Sequence, residues 1–270
     1  MLKNRTVWCK TGWARSAARA ETGDGYMLCR TALERVRYEV MGRLRKPLAA
    51  SNGRRAEAYL EGQGALALLR RGDAGEHRAV LADLAYLHRT VRRKKPKTIV
   101  EFGVGFSTLV MAHALHLNRA GRANGEDARL YTVDTSHHWI DNTRGKLPDA
   151  FKDIVELRHS EARLTVVNNE LCHRFEVLPN VVPDLIYLDG PDPSTVAGDV
   201  CGLTHAVEQG EPRRAMSADV LLYESGLKVG AAIIVDNRRM NTRCLRRNLK
   251  RNWRFRANKA EGRFTFVLVD

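Results

Sequence analysis

The stretch Thr98-Ile-Val-Glu-Phe-Gly-Val-Gly-Phe-Ser-Thr108 constrains the fold more than any other part of the chain. A β-branched run ends in an acid, and two glycines then open the apolar helix signal of Leu109, Val110 and Met111. A chain leaving a buried parallel strand must turn sharply, and backbone without Cβ atoms lets a ligand come close. Gly103 and Gly105 meet both needs. The segment reads as strand, cofactor-type loop and helix, the opening unit of an open α/β sheet.

Strand and helix signals alternate from there. The pattern predicts strands at 98–102, 129–134, 154–158, 184–189 and 230–236, and helices at 107–117, 136–146, 162–172, 217–226 and 239–250. Trp253-Arg-Phe-Arg256 and Phe264 to Val269, separated by the turn-forming Asn258 to Gly262, predict a closing antiparallel hairpin. Upstream, apolar residues at helical spacing predict helices over 31–46, 54–70 and 76–92. The first 25 residues have no acid before Glu21 and little to pack, so a loosely held arm is expected. The chain thus divides into a basic, partly disordered helical extension over 1–75 and an α/β domain over 76–270.

The position of Glu101 says which kind of cofactor fits. In dinucleotide sites the ribose-binding acid lies well beyond the glycines. Here it precedes them, where it would repel pyrophosphate but could pair with an ammonium, directly or through water. The second strand, Arg129-Leu-Tyr-Thr-Val-Asp134, ends in an acid placed for ribose hydroxyls or for capping the next helix. This ordered set resembles the class I S-adenosylmethionine-dependent methyltransferases, whose first motif reads E/D-x-G-x-G and whose second strand ends in Asp or Glu. The resemblance covers roughly residues 76–270 and implies a Rossmann-like, doubly wound seven-stranded sheet with a C-terminal hairpin. It implies that Gly103 and Gly105 pass beneath the methionine and ribose and that Glu101 addresses the amino group. Ser107 or Thr108 would cap the helix and reach the carboxylate, and Asp134 would hold the ribose.

Pro183-Asp-Leu-Ile-Tyr-Leu-Asp-Gly-Pro191 delivers Asp189 to a strand's carboxyl end, and Ala231-Ala-Ile-Ile-Val-Asp-Asn237 delivers Asp236 and Asn237 to the same edge. Three oxygen ligands there could hold a magnesium-like cation, or the acids could cap loops and touch substrate without metal. The trio resembles the metal set of catechol O-methyltransferase and its relatives. Those enzymes place a catalytic Lys three residues beyond the first Asp, where this chain has Asp192, so a proton acceptor must come from elsewhere. Asp192 is the first candidate by location, with His205 and the pair His137 and His138 behind it.

Charge is divided unevenly. Residues 1–97 hold 22 Lys/Arg against 9 Asp/Glu, residues 98–235 hold 12 against 19, and residues 236–270 hold 11 against 3. An acidic core between basic flanks suggests an anionic partner, or only a solvated basic surface. Arg238 to Arg256 contains nine basic residues and no acid, able to clamp a phosphate or carboxylate or to track RNA. No RNA-recognition module is evident. Five scattered cysteines without paired spacing suit reduced thiols, and no apolar run has the length of a membrane span, so a cytoplasmic location is expected. The expected activity is O-methylation of a small-molecule or sugar hydroxyl. An RNA methyltransferase and a non-catalytic S-adenosylmethionine-binding module remain the alternatives.

Overall fold

The computed structural model describes residues 52–70, 81–120, 128–207, 213, 216–258 and 261–270. The arm, the helix expected over 31–46 and the boundary at 75/76 lie outside those residues. Residues 53–270 form one compact unit.

Seven strands make the main sheet: β1 (Thr98–Phe102), β2 (Arg129–Asp134), β3 (Val155–His159), β6 (Leu185–Leu188), β9 (Ala232–Asp236), β10 (Trp253–Asn258) and β11 (Arg263–Leu268). Their order is β10-β11-β9-β6-β1-β2-β3. β1 pairs in parallel with both β2 and β6, and only β11 runs antiparallel, against β9 and β10. The strand order reverses beside β1, so the crevice at its carboxyl end is the topological switch point where open α/β sheets bind ligands. The central strands β6 and β9 are apolar and buried almost throughout, as a sheet covered on both faces requires.

One face is covered by helices 52–62, α2 (Leu66–Leu69), α3 (Leu81–Lys94) and α4 (Phe106–Arg119), numbering helix 52–62 as α1. Leu60, Leu66, Leu84, Leu87, Val91, Leu109, Met111 and Leu115 pack with Ile99 of β1 into one core. Gly64, at φ +80°, breaks the helix expected over 54–70 into α1 and α2. Tyr59, His88 and His113 tie α1, α3 and α4 together, the Tyr59 hydroxyl 2.9 Å from His88 Nδ1 and His88 Nε2 3.0 Å from His113 Nδ1.

The other face differs from the expected plan. Residues 162–172 do not form a helix: β4 (Ala162–Val167) and β5 (Glu170–Phe175) pair as an antiparallel hairpin. Asn168 and Asn169, at φ 48° and 62°, make the two-residue turn that matches strand twist, and Asn tolerates that left-handed conformation. β7 (Val196–Ala197) and β8 (Met216–Ser217) extend the hairpin into a second, four-stranded sheet. Ala162, Leu164, Phe175 and Val196 pack on Val100, Phe102, Ile186 and Leu188, with Phe175 stacked on Phe102 at 5.8 Å. This sheet supplies apolar cover where a helix was expected. The helices α5 (His137–Lys146), α6 (Asp219–Tyr223) and α7 (Arg239–Asn248) lie close to their expected spans. Among the described residues no helix is long and apolar enough to cross a membrane.

Candidate active site

The turn after β1 is fixed from behind by Glu101. Strand alternation sends Val100 and Phe102 toward the second sheet and Ile99 toward α4, and Glu101 shares the α4 side. Its carboxylate is fully buried and accepts hydrogen bonds from Ser107 Oγ at 2.5 Å and Thr108 Oγ1 at 2.7 Å. Thr108 Oγ1 also accepts from the Gly105 amide at 3.1 Å. Burial pushes the Glu101 carboxyl up to about 8, against the opposing pull of the Ser107 and Thr108 hydroxyls. Glu101 therefore braces the loop rather than lining the cavity.

Two glycines meet across the strand ends. Gly103 has φ +102°, and a Cβ there would lie 2.9 Å from the Gly190 nitrogen. A Cβ on Gly190 would lie 2.5 Å from the Gly103 Cα and 2.6 Å from its nitrogen. Nothing but glycine fits at either position. Around Gly105 an added Cβ would meet nothing, so its side is open space.

That space belongs to a cavity of about 600 Å³ at the carboxyl edge, within the usual range for a ligand site. Gly103, Gly105, Ser107, Asp134, Asp189, Asp192 and Asp236 all line it, whereas Glu101 and Thr108 stand behind its wall. Asp134 holds the loop in place: its Oδ2 accepts from the Val104 amide at 2.9 Å and its Oδ1 from the Ser136 amide at 2.8 Å. Helix α5 is capped separately, by the Ser136 side chain.

Asp189 and Asp236 line the same cavity, and the buried Tyr187 lies beside both. Desolvation, then Asp236, raise the Asp189 carboxyl to about 7. It lines the cavity with 47% of its side chain exposed. Asp83, from the first turn of α3, joins the same wall. Burial and Asp236 raise its carboxyl to about 6, although Arg263 donates to it at 3.0 Å. Asp83, Tyr187 and Gly190 were not singled out in the sequence. Only the Gly190-Pro191 pair after Asp189 carried a local signal, as a turn dipeptide.

Of the three oxygen ligands expected for a cation, Asp189 and Asp236 line the first cavity and Asn237 lines the adjoining one. Asn237 has φ 40°, and its amide lies against Gly262 of the terminal hairpin, where an added Cβ would be 2.8 Å from Asn237 Oδ1. The Arg238 guanidinium stands beside Asp189 instead, donating to the Asp189 and Pro191 carbonyl oxygens. Among the described residues no cluster of three or more His, Cys, Asp or Glu could hold a metal. Asp192 is also engaged, its Oδ1 accepting from the Ser194 amide and hydroxyl, both at 2.8 Å. Those bonds hold its carboxyl below the usual range.

A second cavity of about 850 Å³ adjoins the first and shares Asp192, Pro193, Ser194 and Arg238 with it. Val196 of β7, Met216 of β8, His205 and the start of α7 close its other sides. His137 and His138 line neither cavity, and His137 stacks on His159 instead.

A seven-stranded sheet with one antiparallel strand, a glycine turn after β1 and an acid at the end of β2 defines the class I S-adenosylmethionine-dependent methyltransferases. Residues 100–238, just over half of the chain, match the family model described as a methyltransferase domain, and the chain belongs to that family. No curated protein matches it. Among solved structures it is similar to the O-methyltransferase TomG of Streptomyces achromogenes, involved in tomaymycin synthesis and in complex with SAM, at 16% identity, covering 75% of this chain and 86% of that one, TM-score 0.42. It is also similar to SAH-bound PaMTH1 of Podospora anserina, at 15% identity over 83% of this chain and 96% of that one, TM-score 0.46. An O-methyltransferase of Bacillus cereus in complex with SAH shares 17% identity over 80% of this chain and 90% of that one, TM-score 0.40.

Proposed function

We propose that the protein transfers a methyl group from S-adenosylmethionine to a hydroxyl of a small molecule or sugar. The observation that supports this most is the pair of adjoining cavities, one walled by the glycine loop and Asp134, the other opening on it at Asp192 to Ser194 and Arg238. The open side of Gly105 and the place of Asp134 in the cavity wall fit a nucleoside in the first cavity. Asp83, Asp189 and Asp236 suit the cationic methionine end.

When bound, the cofactor supplies an electrophilic methyl on a sulfonium: the acceptor oxygen takes the methyl carbon, the C–S electron pair stays on sulfur, and the hydroxyl proton is left for the protein. Most of the catalysis in such a site is alignment of the two reactants. Asp189 is the stronger base of the two candidate acids, although Asp192 lines both cavities. Asp189 lies in the first cavity with a carboxyl near 7, whereas Asp192 is a weaker base tied to Ser194. Magnesium has no part in this reading, since the Asn237 Oδ1 lies against Gly262 and Arg238 already places positive charge beside Asp189.

A small acceptor is preferred to RNA because several arginines of the basic segment are engaged within the fold. Arg247 pairs with Glu170, Arg251 donates to the Leu227 carbonyl oxygen, and Arg246 lies over the Phe255 ring. The test is S-adenosylhomocysteine release with a panel of hydroxylated aromatics and sugars. In wild type kcat/KM is expected to rise with pH through about 7, where Asp189 of the free protein ionises, and then level off. Asp189→Asn is expected to lower kcat by on the order of 100-fold, and a chelator should leave turnover within about twofold. Turnover abolished by chelation and restored by magnesium would overturn the metal-free mechanism. Turnover only with RNA would overturn the acceptor class.

A further inference from the structure

We infer that the second cavity is the acceptor site and is built for an acceptor that carries an oxyanion, a carboxylate or a phosphate, beside the hydroxyl to be methylated. This rests on the methyltransferase reading above, and it adds the chemical class of the second substrate.

Four features converge on that cavity. Arg213 and Arg239 line it, and among the described residues neither forms an ion pair; the Arg213 guanidinium donates only to the Thr204 carbonyl oxygen, at 3.0 Å. Residues 238–241, the start of α7, line it as well, and no side chain caps that ten-residue helix. Its first-turn amides and the positive end of its dipole are therefore open to an anion. His205, only 7% exposed, lines the same wall with its Nε2 enclosed and unpartnered. Buried polar atoms normally have partners, so unpartnered ones beside a cavity point to a group that arrives with the ligand.

The fourth feature is the contrast between the cavities. The first has five aspartates, Asp83, Asp134, Asp189, Asp192 and Asp236, against Arg238. The second has Arg213, Arg238 and Arg239 against Asp192, whose Oδ1 is already occupied by Ser194. An anionic acceptor is repelled by the first and attracted by the second, while a sulfonium cofactor is sorted the opposite way. Arginine's planar fork suits carboxylate and phosphate alike.

The full-length protein loaded with S-adenosylhomocysteine, which cannot react, separates the possibilities in calorimetric titrations. The probes are 3-hydroxybenzoate against 3-hydroxybenzyl alcohol for a carboxylate, and ribose 5-phosphate against ribose for a phosphate. At least one anion is expected to bind about tenfold or more tightly than its neutral partner. The arm that responds identifies the oxyanion. Replacing both arginines, Arg213→Gln with Arg239→Gln, should weaken that anion about tenfold or more while S-adenosylhomocysteine affinity stays within about twofold, which also shows that the variant is folded. Neutral partners binding as well as the anions, no anion binding to the loaded protein, or unchanged anion affinity in the double variant would each overturn the inference. Failure of the wild type to bind S-adenosylhomocysteine would instead overturn the methyltransferase reading beneath it.

Discussion

Glu101→Ala is expected to weaken S-adenosylmethionine binding by on the order of 100-fold, although Glu101 does not reach the cavity. Its two carboxylate oxygens hold the Ser107 and Thr108 hydroxyls, and Thr108 in turn holds the Gly105 amide. Losing these bonds frees the loop that must be rigid to cradle the cofactor, and each buried hydroxyl left without its partner costs about 1–3 kcal/mol. Isothermal calorimetry on the variant checks the loss, and affinity within about threefold of wild type would show that the brace is dispensable.

The same residue gives stability a pH dependence of definite sign. The folded-state carboxyl titrates at about 8, above its ordinary value of 4.5, so between those limits the folded chain holds a proton that the unfolded chain has released. Glu101's contribution to stability therefore falls as pH rises from 4.5 to 8. Glu101→Gln keeps the volume but cannot ionise. Relative to it, wild type should lose on the order of 3 kcal/mol between pH 5 and pH 8.5 in denaturant unfolding. Parallel profiles for the two proteins would contradict the assignment.

Gly190→Ala is expected to have the largest structural effect of any single methyl added to the site. The new Cβ would meet Gly103 Cα at 2.5 Å, Gly103 N at 2.6 Å and the Phe102 carbonyl carbon at 2.9 Å. These are backbone atoms, so no rotamer relieves the clash. Either the ends of β1 and β6 separate or the cofactor loop moves. A loss of about 3 kcal/mol in unfolding free energy is expected, together with loss of measurable cofactor binding. Gly105→Ala is the control, because its methyl enters open space in the cavity. It should weaken binding while leaving stability nearly intact. A Gly190→Ala protein as stable as wild type would mean that the strand ends are not so close.

What could be read from the chain beforehand was local. Glu101, Gly103, Gly105 and Asp134 announced themselves because strand, turn and helix follow one another within a few residues, and the terminal hairpin had its own turn signal. The segment 162–172 misled because Leu164, Val167 and Leu171 recur at helical spacing, whereas Asn168-Asn169 held the competing hairpin signal. Asn237 kept its place at the strand end, but the left-handed backbone there turns its amide toward Gly262, which no strand-end pattern could show. Asp83 and Arg263 are 180 positions apart in sequence and meet only in the folded chain. Tyr187 looked like core, and became part of the site only when β6 and β9 aligned Asp189 with Asp236. The paired glycines follow the same logic: Gly103 was evident as a turn, while Gly190 gained its meaning from facing it.

A calorimetric titration of the wild-type protein with S-adenosylmethionine, with NAD as the competing ligand, tests the account most directly. Saturable one-site binding that NAD does not displace is the expected result, since the acid-walled cavity suits a cationic cofactor and repels a pyrophosphate. No binding of S-adenosylmethionine, or displacement by NAD, would contradict it.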